Sequence, residues 1–270
     1  MPIHICIAGI AGRMGQRLLA LSQEDSELKL VYALEQAGHP WIGKDVGLVG
    51  GLGKELEVPV ERGLRPDCGI EVIIDFTAHT AATQHAEEAA ELGVPIVIGT
   101  TGLTDEEKKR VAKAAKQVPV LHAPNFSVGV NVLFKVAGLV ARTLGDGYDV
   151  EIVEAHHNQK VDAPSGTALA LAEAVAKGLD RNLKEAAVYG RHGMTGKRKP
   201  KEIGIHALRM GDVVGEHTAY FAIGGERVEL THRASSRDTF ARGALRAAKW
   251  LVRNAKGPGQ YTVAQVLGLE

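Results

Sequence analysis

Ile3-His4-Ile5-Cys6-Ile7-Ala8-Gly9-Ile10-Ala11-Gly12-Arg13-Met14-Gly15 opens the chain, and its reading decides the fold. An apolar strand over residues 3–8 runs into a turn with glycines at 9, 12 and 15. Helical periodicity follows over residues 13–21. Glycines in such a turn let backbone N–H groups and a helix N-terminus approach a pyrophosphate. The spacing is G-x-x-G-x-x-G rather than the commoner G-x-G-x-x-G, but the strand before it and the helix after it are what the mechanism needs. Glu35 follows the second strand (residues 28–34), about twenty residues past the turn, where an acid would hydrogen-bond an adenosine ribose. Turn and acid together predict a nicotinamide dinucleotide, NADH or NADPH, as cofactor. Gln36 is uncharged where an NADP-specific site offers a guanidinium, though Arg13 could reach a 2′-phosphate from the turn, so the residues lean to NADH or dual use over strict NADPH.

The same alternation continues outward. Residues 71–76, 95–98 and 118–122 read as buried strands, with a helix at 81–92 and another running from the capping box Thr104–Glu107 to residue 116. Short apolar strands separated by helices predict a Rossmann-type, doubly wound parallel sheet. Two further strand ends, Gly99-Thr100-Thr101 and Ala123-Pro124-Asn125-Phe126, face the crevice where such sheets collect ligands. Residues 41–65 are glycine-rich and without a period, and read as a long irregular loop with one edge strand.

After residue 126 the pattern changes. A long helix (130–144), a strand (149–155), a second helix reaching residue 177 and three strands (203–208, 217–223, 226–232) predict an α+β domain with a mostly antiparallel sheet. The amphipathic helix at 239–254 returns to the first domain. The expected division is therefore residues 1–126 with 238–270 as a dinucleotide-binding domain, and 127–237 as a substrate-binding domain.

The 270 residues carry 32 basic and 32 acidic side chains, a balance that argues against bulk binding to nucleic acid or membrane. The basic stretch at 191–201 reads as a solvated loop. Two cysteines are too few for a disulfide framework and show no ligand spacing, which fits a reducing cytoplasm. The start of the chain predicts no cleavable leader. No run is expected to approach bilayer-spanning length.

The chemistry concentrates at Glu154-Ala155-His156-His157-Asn158-Gln159-Lys160-Val161-Asp162-Ala163-Pro164-Ser165-Gly166-Thr167-Ala168. A strand ends at the histidines and a helix starts at the serine. Adjacent histidines on a strand point to opposite faces, which suits separate tasks better than one metal ion, and no metal is expected. Lys160 adds a positive charge and a transferable proton. Ser165, Gly166 and Thr167 offer N–H groups and hydroxyls as a seat for a carboxylate. Arg237 brings a planar fork for a second one.

These segments resemble the dihydrodipicolinate (4-hydroxy-tetrahydrodipicolinate) reductase family of the diaminopimelate route to lysine. The resemblance runs through GIAGRMG (9–15), IDFT (74–77), VIGTTG (97–102), APNFSVGVN (123–131), EAHHNQKVDAPSGTA (154–168), VGEHTAYF (214–221) and THRASSRDTFA (231–241). It implies reduction of a cyclic imine dicarboxylate by NAD(P)H in a homotetramer. His156 would be the proton donor/acceptor, Lys160 a second donor, and His157, Gly166 and Thr167 substrate contacts. Gly9, Ile10, Ala11, Gly12, Arg13, Met14, Glu35, Gly99, Thr100, Thr101, Ala123, Pro124, Asn125 and Phe126 would hold the cofactor. Gln36 and Ala78 depart from the basic residues that family members can carry there, and leave the choice between NADH and NADPH open.

Overall fold

The computed structural model describes residues 1–269 and divides into two compact units, Met1–Ser127 with the chain from Arg237 onward, and Val128–Ser236. Arg237 thus falls with the first unit, at the N-cap of the helix Asp238–Asn254.

The first unit is built on seven parallel strands: β1 (Ile3–Ala8), β2 (Leu28–Leu34), β3 (Val60–Glu61), β4 (Val72–Asp75), β5 (Ile96–Ile98), β6 (Pro119–His122) and β12 (Gly259–Tyr261). Their order is β12-β6-β5-β4-β1-β2-β3, so the winding reverses beside β1 and opens a crevice beyond the ends of β1 and β4. Both faces are covered, which is why the strands are apolar throughout rather than alternating. Ile5, Ile7, Val72, Ile74 and Val97 face one core, under α1 (Arg13–Ser22) and α8 (Asp238–Asn254). Cys6, Ala8, Ile73, Ile96 and Ile98 face the other, under α3 (His79–Leu92) and α4 (Asp105–Ala114). Both cysteines are free.

The irregular excursion after β2 is held by one carboxylate. Asp45 accepts N–H bonds from Gly47 at 2.9 Å and Leu48 at 3.3 Å, capping α2 (Val46–Val49). It also accepts from Leu56 at 3.1 Å and Val58 at 3.0 Å. Partial burial opposes the charge, but these four donors outweigh it and hold the carboxyl below its usual range. The staple delivers Val60–Glu61 to the edge of β2 as the expected edge strand. β12 had no sequence signal beyond its shortness; it pairs in parallel with β6, and α9 (Val263–Leu267) follows it under a Thr262–Gln265 capping box.

The second unit has a five-stranded sheet ordered β11-β10-β7-β9-β8: β7 (Asp149–His156), β8 (Ala187–Tyr189), β9 (Ile203–Arg209), β10 (Gly215–Ile223) and β11 (Glu226–Ala234). The sheet is mixed. β10 runs antiparallel to both β11 and β7, whereas β9 is parallel to β7 and β8. β9 and β10 are consecutive but flank β7 instead of pairing, because the intervening turn carries the chain across it. Helices α5 (Val128–Leu144) and α6 (Gly166–Gly178) cover one face over Val150, Ile152, Ile205 and Phe221, and α7 (Leu183–Ala186) leads into β8.

Two expectations change here. α5 continues into a 3-10 turn at Gly145–Gly147, and the 20 residues Val128–Gly147, with mean hydropathy 1.4 over their apolar window, are long and apolar enough to cross a membrane by length and composition. Its buried side, Val130, Leu133, Ala137 and Ala141, includes residues of the second unit's core, and Lys135 and Arg142 interrupt the remainder. The basic stretch at 191–201 is also more than a solvated loop. Arg191 and Arg198 fold back on Glu151 at 2.9 and 3.1 Å, and His206 adds a contact at 2.7 Å. Burial raises this carboxyl's pKa, but hydrogen bonds from Arg191, His206 and Arg198 bring it down to about 2.

Gly9 has φ +77°, and a Cβ on Gly15 would lie 2.2 Å from the Gly9 carbonyl oxygen. An alanine in an open helix gains up to about 1 kcal/mol over glycine. Overpacking of about 1–3 kcal/mol should reverse that sign for Gly15→Ala, lowering its urea midpoint. An unchanged midpoint would show that the turn yields.

Candidate functional site

In the first unit, the ends of β1, β2, β3 and β4 enclose a cavity of about 590 Å³ lined by Gly9, Ala11, Gly12, Glu35, Gln36, His39, Arg62, Phe76, Thr77, Ala78 and His85, among others. The glycine turn is tightly self-bonded. Gly9 and Ile10 donate to the Leu34 carbonyl, both at 3.0 Å, and Gly12 donates to the Gly9 carbonyl at 3.0 Å. Ala11 donates to Glu35 Oε2 at 3.0 Å, and Gln36 donates to Glu35 Oε1 at 2.8 Å. The side chain of Ile10 is wholly buried in the core, so it faces away from the cavity. What the turn presents to an anion is the start of α1. Gly12 is its N-cap, without a side-chain cap bond, and the first helical N–H groups belong to Arg13 and Met14. This anion seat and the acid beside it fit a dinucleotide.

Behind the cavity lies a polar network that the sequence reading missed. Asp75, fully buried at the end of β4, accepts from the Thr77 N–H at 2.9 Å, the Thr77 hydroxyl at 2.8 Å and the Thr100 hydroxyl at 3.2 Å. His85 Nδ1 lies 2.5 Å from its other oxygen. Burial lowers the pKa of His85, but Asp75 outweighs it and raises the value overall. Thr100 is thereby held facing inward, while Thr101 is exposed. Phe126 is buried with its ring 5.9 Å from Phe76, so it acts as core packing, and Pro124 is exposed beside it. Of the expected cofactor residues, the cavity gathers Gly9, Ala11, Gly12 and Glu35.

A larger open cleft, about 870 Å³, lies between the end of α1 and α8. Three of its cations are already matched: Arg242 to Glu24 at 3.0 Å, Lys249 to Asp25 and Glu27 at 2.7 Å, and Arg253 to Glu27 at 2.8 Å. Its size comes without converging unsatisfied chemistry.

In the second unit, strand parity explains the centre. Side chains two apart on β7 share a face, so Glu154 and His156 both point to the face covered by α5 and α6. Glu154 Oε2 sits 2.6 Å from His156 Nδ1 and 2.8 Å from Arg209 Nη1. Its Oε1 accepts from Arg209 Nη2 at 2.9 Å and from the Ser165 N–H at 3.0 Å. Burial raises the carboxyl's pKa, but His156, Arg209 and the amide together lower it to about 2. Because this carboxylate can only accept, the proton between it and His156 resides on Nδ1 and leaves Nε2 for chemistry. A Cβ on Gly215 would come 3.1 Å from that Nε2, so the glycine keeps the ring's edge clear.

His217 stands across from Glu154 on β10, its ring 5.2 Å from that of His156. Burial, then the neighbouring His156, lowers its pKa to about 3, so it is neutral near pH 7. Its Nε2 lies 3.2 Å from Ser165 Oγ, which also accepts from the Ala168 N–H at 3.1 Å. Ser165 is therefore fully engaged in capping α6 and fixing Glu154. The exposed helix start belongs to Gly166, with Thr167 buried beside it. Lys160 pairs with Asp162 at 2.8 Å, and its loop is pinned by Asn158 N–H donating to the Gly211 carbonyl at 3.1 Å. His157 is half-buried just past the end of β7. Strand parity made Glu154 findable; Arg209 follows only from the β7–β9 register, which pairs it with His156.

A doubly wound sheet with a glycine turn and acid at its switch point, joined to an α+β unit bearing imidazoles and a lysine, defines a two-domain pyridine-nucleotide oxidoreductase. Residues 3–126 match the family model described as dihydrodipicolinate reductase, N-terminus, and residues 129–267 match that of the C-terminus. The chain belongs to the dihydrodipicolinate reductase family. It is 53% identical over 266 residues to the 4-hydroxy-tetrahydrodipicolinate reductase of Anaeromyxobacter dehalogenans, covering 98% of this chain and 97% of that one. Identity to the enzyme of the same name from Thiobacillus denitrificans is 50% over 270 residues, the full length of both. Among solved structures, a dipicolinate-bound dihydrodipicolinate reductase from Paenisporosarcina sp. TG-14 superposes with TM-score 0.75 at 25% identity, covering 98% of this chain and 99% of that one. GenD2 from gentamicin A biosynthesis, in complex with NAD, shares the fold with TM-score 0.64 at 12% identity, covering 99% of this chain and 91% of GenD2.

The depressed Glu154 predicts acid sensitivity. A carboxyl at about 2 when folded and 4.5 as its reference contributes stability that is complete above 4.5 and lost as pH falls through about 2. Glu154→Gln should lower stability at pH 7 by roughly 3 kcal/mol by stranding Arg209, and the gap to the parent should close on acidification. A gap independent of pH in urea titrations would contradict this.

Proposed function

We propose that the chain reduces 4-hydroxy-tetrahydrodipicolinate to tetrahydrodipicolinate with NADH or NADPH, as a cytoplasmic homotetramer. The observation that carries the reading is the Glu154–His156–Arg209 cluster beside Lys160 and the start of α6, in a chain of this family. The dinucleotide supplies a hydride. The protein must hold it, hold two carboxylates and deliver a proton.

The start of α1 receives the pyrophosphate and Glu35 the adenosine ribose, with Gly99, Thr100, Thr101 and residues 123–126 bounding the nicotinamide end. On the second unit, Gly166 and Thr167 seat one substrate carboxylate at the helix N-terminus, and His157 contacts the ring. Arg237 supplies a bidentate grip for the second carboxylate. Glu154 fixes the His156 ring and its tautomer, leaving Nε2 to exchange a proton with substrate. Lys160 places a cation and a proton beside the imine. A protonated imine accepts hydride more readily, so this proton lowers the barrier directly. Two free cysteines fit a reducing cytoplasm. The half-exposed outer strand β11 supports assembly through the second sheet.

Steady-state kinetics with substrate made freshly by the preceding synthase should show oxidation of NADH, NADPH or both. No oxidation of either would overturn the assignment. Lys160→Ala should lower kcat by about a hundredfold or more. Turnover near that of the parent would remove Lys160 from the mechanism. Light scattering should give four times the chain mass.

A further inference from the structure

Position 36 carries no charge, yet the cavity has a guanidinium from another element. β3 runs parallel to β2 with Glu61 level with Leu34, and the Glu35 N–H donates to the Glu61 carbonyl at 3.0 Å. Arg62, the next residue, therefore stands about one strand spacing, ~4.8 Å, from the Glu35–Gln36 corner. It is exposed and lines the same cavity as Glu35, Gln36 and His39. Arg13 at the start of α1 does not line it.

Among the described residues Arg62 has no carboxylate partner. The nearby carboxylates are already engaged: Glu61 by Arg65, and Glu35 by the N–H groups of Ala11 and Gln36. The His39 Nδ1 accepts the Trp41 N–H at 3.2 Å, so in its neutral form His39 keeps Nε2 as a further donor on the same wall. A partnerless planar fork beside the ribose-binding acid matches a phosphate dianion.

We propose that Arg62 is the seat of the 2′-phosphate of NADPH, so that the residue just past edge strand β3 supplies the charge that position 36 lacks. Glu35 favours the ribose hydroxyls of NADH and Arg62 the phosphate of NADPH, and the chain accepts both. The inference rests on the reading that this cavity holds a nicotinamide dinucleotide.

Calorimetric titration of the full-length protein with 2′,5′-ADP and 5′-AMP, and fluorescence titration with NADPH and NADH, tests it. The parent should bind 2′,5′-ADP more tightly than 5′-AMP. Arg62→Ala should lower that preference at least about tenfold, as expected for a lost charge-assisted hydrogen bond, and Arg62→Lys should restore part of it. A parent without preference for the 2′-phosphate would overturn the proposal, as would a ratio in Arg62→Ala within twofold of the parent's. A tenfold loss in Arg13→Ala with none in Arg62→Ala would move the phosphate to the start of α1 and overturn it too. Binding of neither NADH nor NADPH to the parent would instead overturn the dinucleotide reading beneath it.

Discussion

A single buried carboxylate organises the second unit. Glu154 has no solvent exposure and holds together an imidazole from its own strand, a guanidinium from β9 and an amide from the start of α6. A charge so placed is costly unless every oxygen is matched. Once matched, it fixes three elements at once: the strand parity that turns His156 toward α6, the register that brings Arg209 level with it, and the phase of α6 itself. Ring orientation, tautomer and helix position are thus three readings of one constraint. The consequence for chemistry is that Nε2 faces a site whose geometry is set before any ligand arrives.

The first unit obeys a different constraint, that of a sheet buried on both faces. Its strands carry little positional information beyond being apolar, so their order is set by right-handed crossovers and by where winding reverses. The reversal beside β1 brings the glycine turn, Glu35 and the end of β4 to one cavity. Asp75 then does for this unit what Glu154 does for the other, tying Thr77, Thr100 and His85 to one buried anion.

Much of this was legible in the sequence, for identifiable reasons. Local signals with a mechanism carried the parallel sheet, the glycine turn, the Thr104–Glu107 capping box and the strand-to-helix joint at 154–168. What escaped was long-range. The pairing of β9 with β7 instead of β10 depends on which edge a turn crosses, and with it went Arg209. The ion pairs of Arg191 and Arg198 depend on Glu151, some forty residues away in sequence, lying beneath them. Ile10 and Phe126 sit inside motifs whose backbone function the sequence shows, but only packing reveals that their side chains serve the core. Ser165 reads as a ligand for substrate until its N–H is seen to be committed to Glu154. Residues 41–65, without a period, gave no reason to expect that a cation just past the edge strand would reach the cavity.

Asp45 lies outside the lining of the cavity, yet it holds the stretch that leads to the cavity's rim. By gathering four backbone N–H groups it ties both ends of residues 45–58 to one point, while Val46 and Val58 anchor the stretch in the same core as Ile5 and Ile7. Between those anchors Lys54 and Glu55 are exposed, so changes there need not disturb the strands that carry the glycine turn and Glu35. Arg62, just past this stretch, lines the cavity, so the charge at its rim is carried by a segment separate from the strands that hold the glycine turn and Glu35.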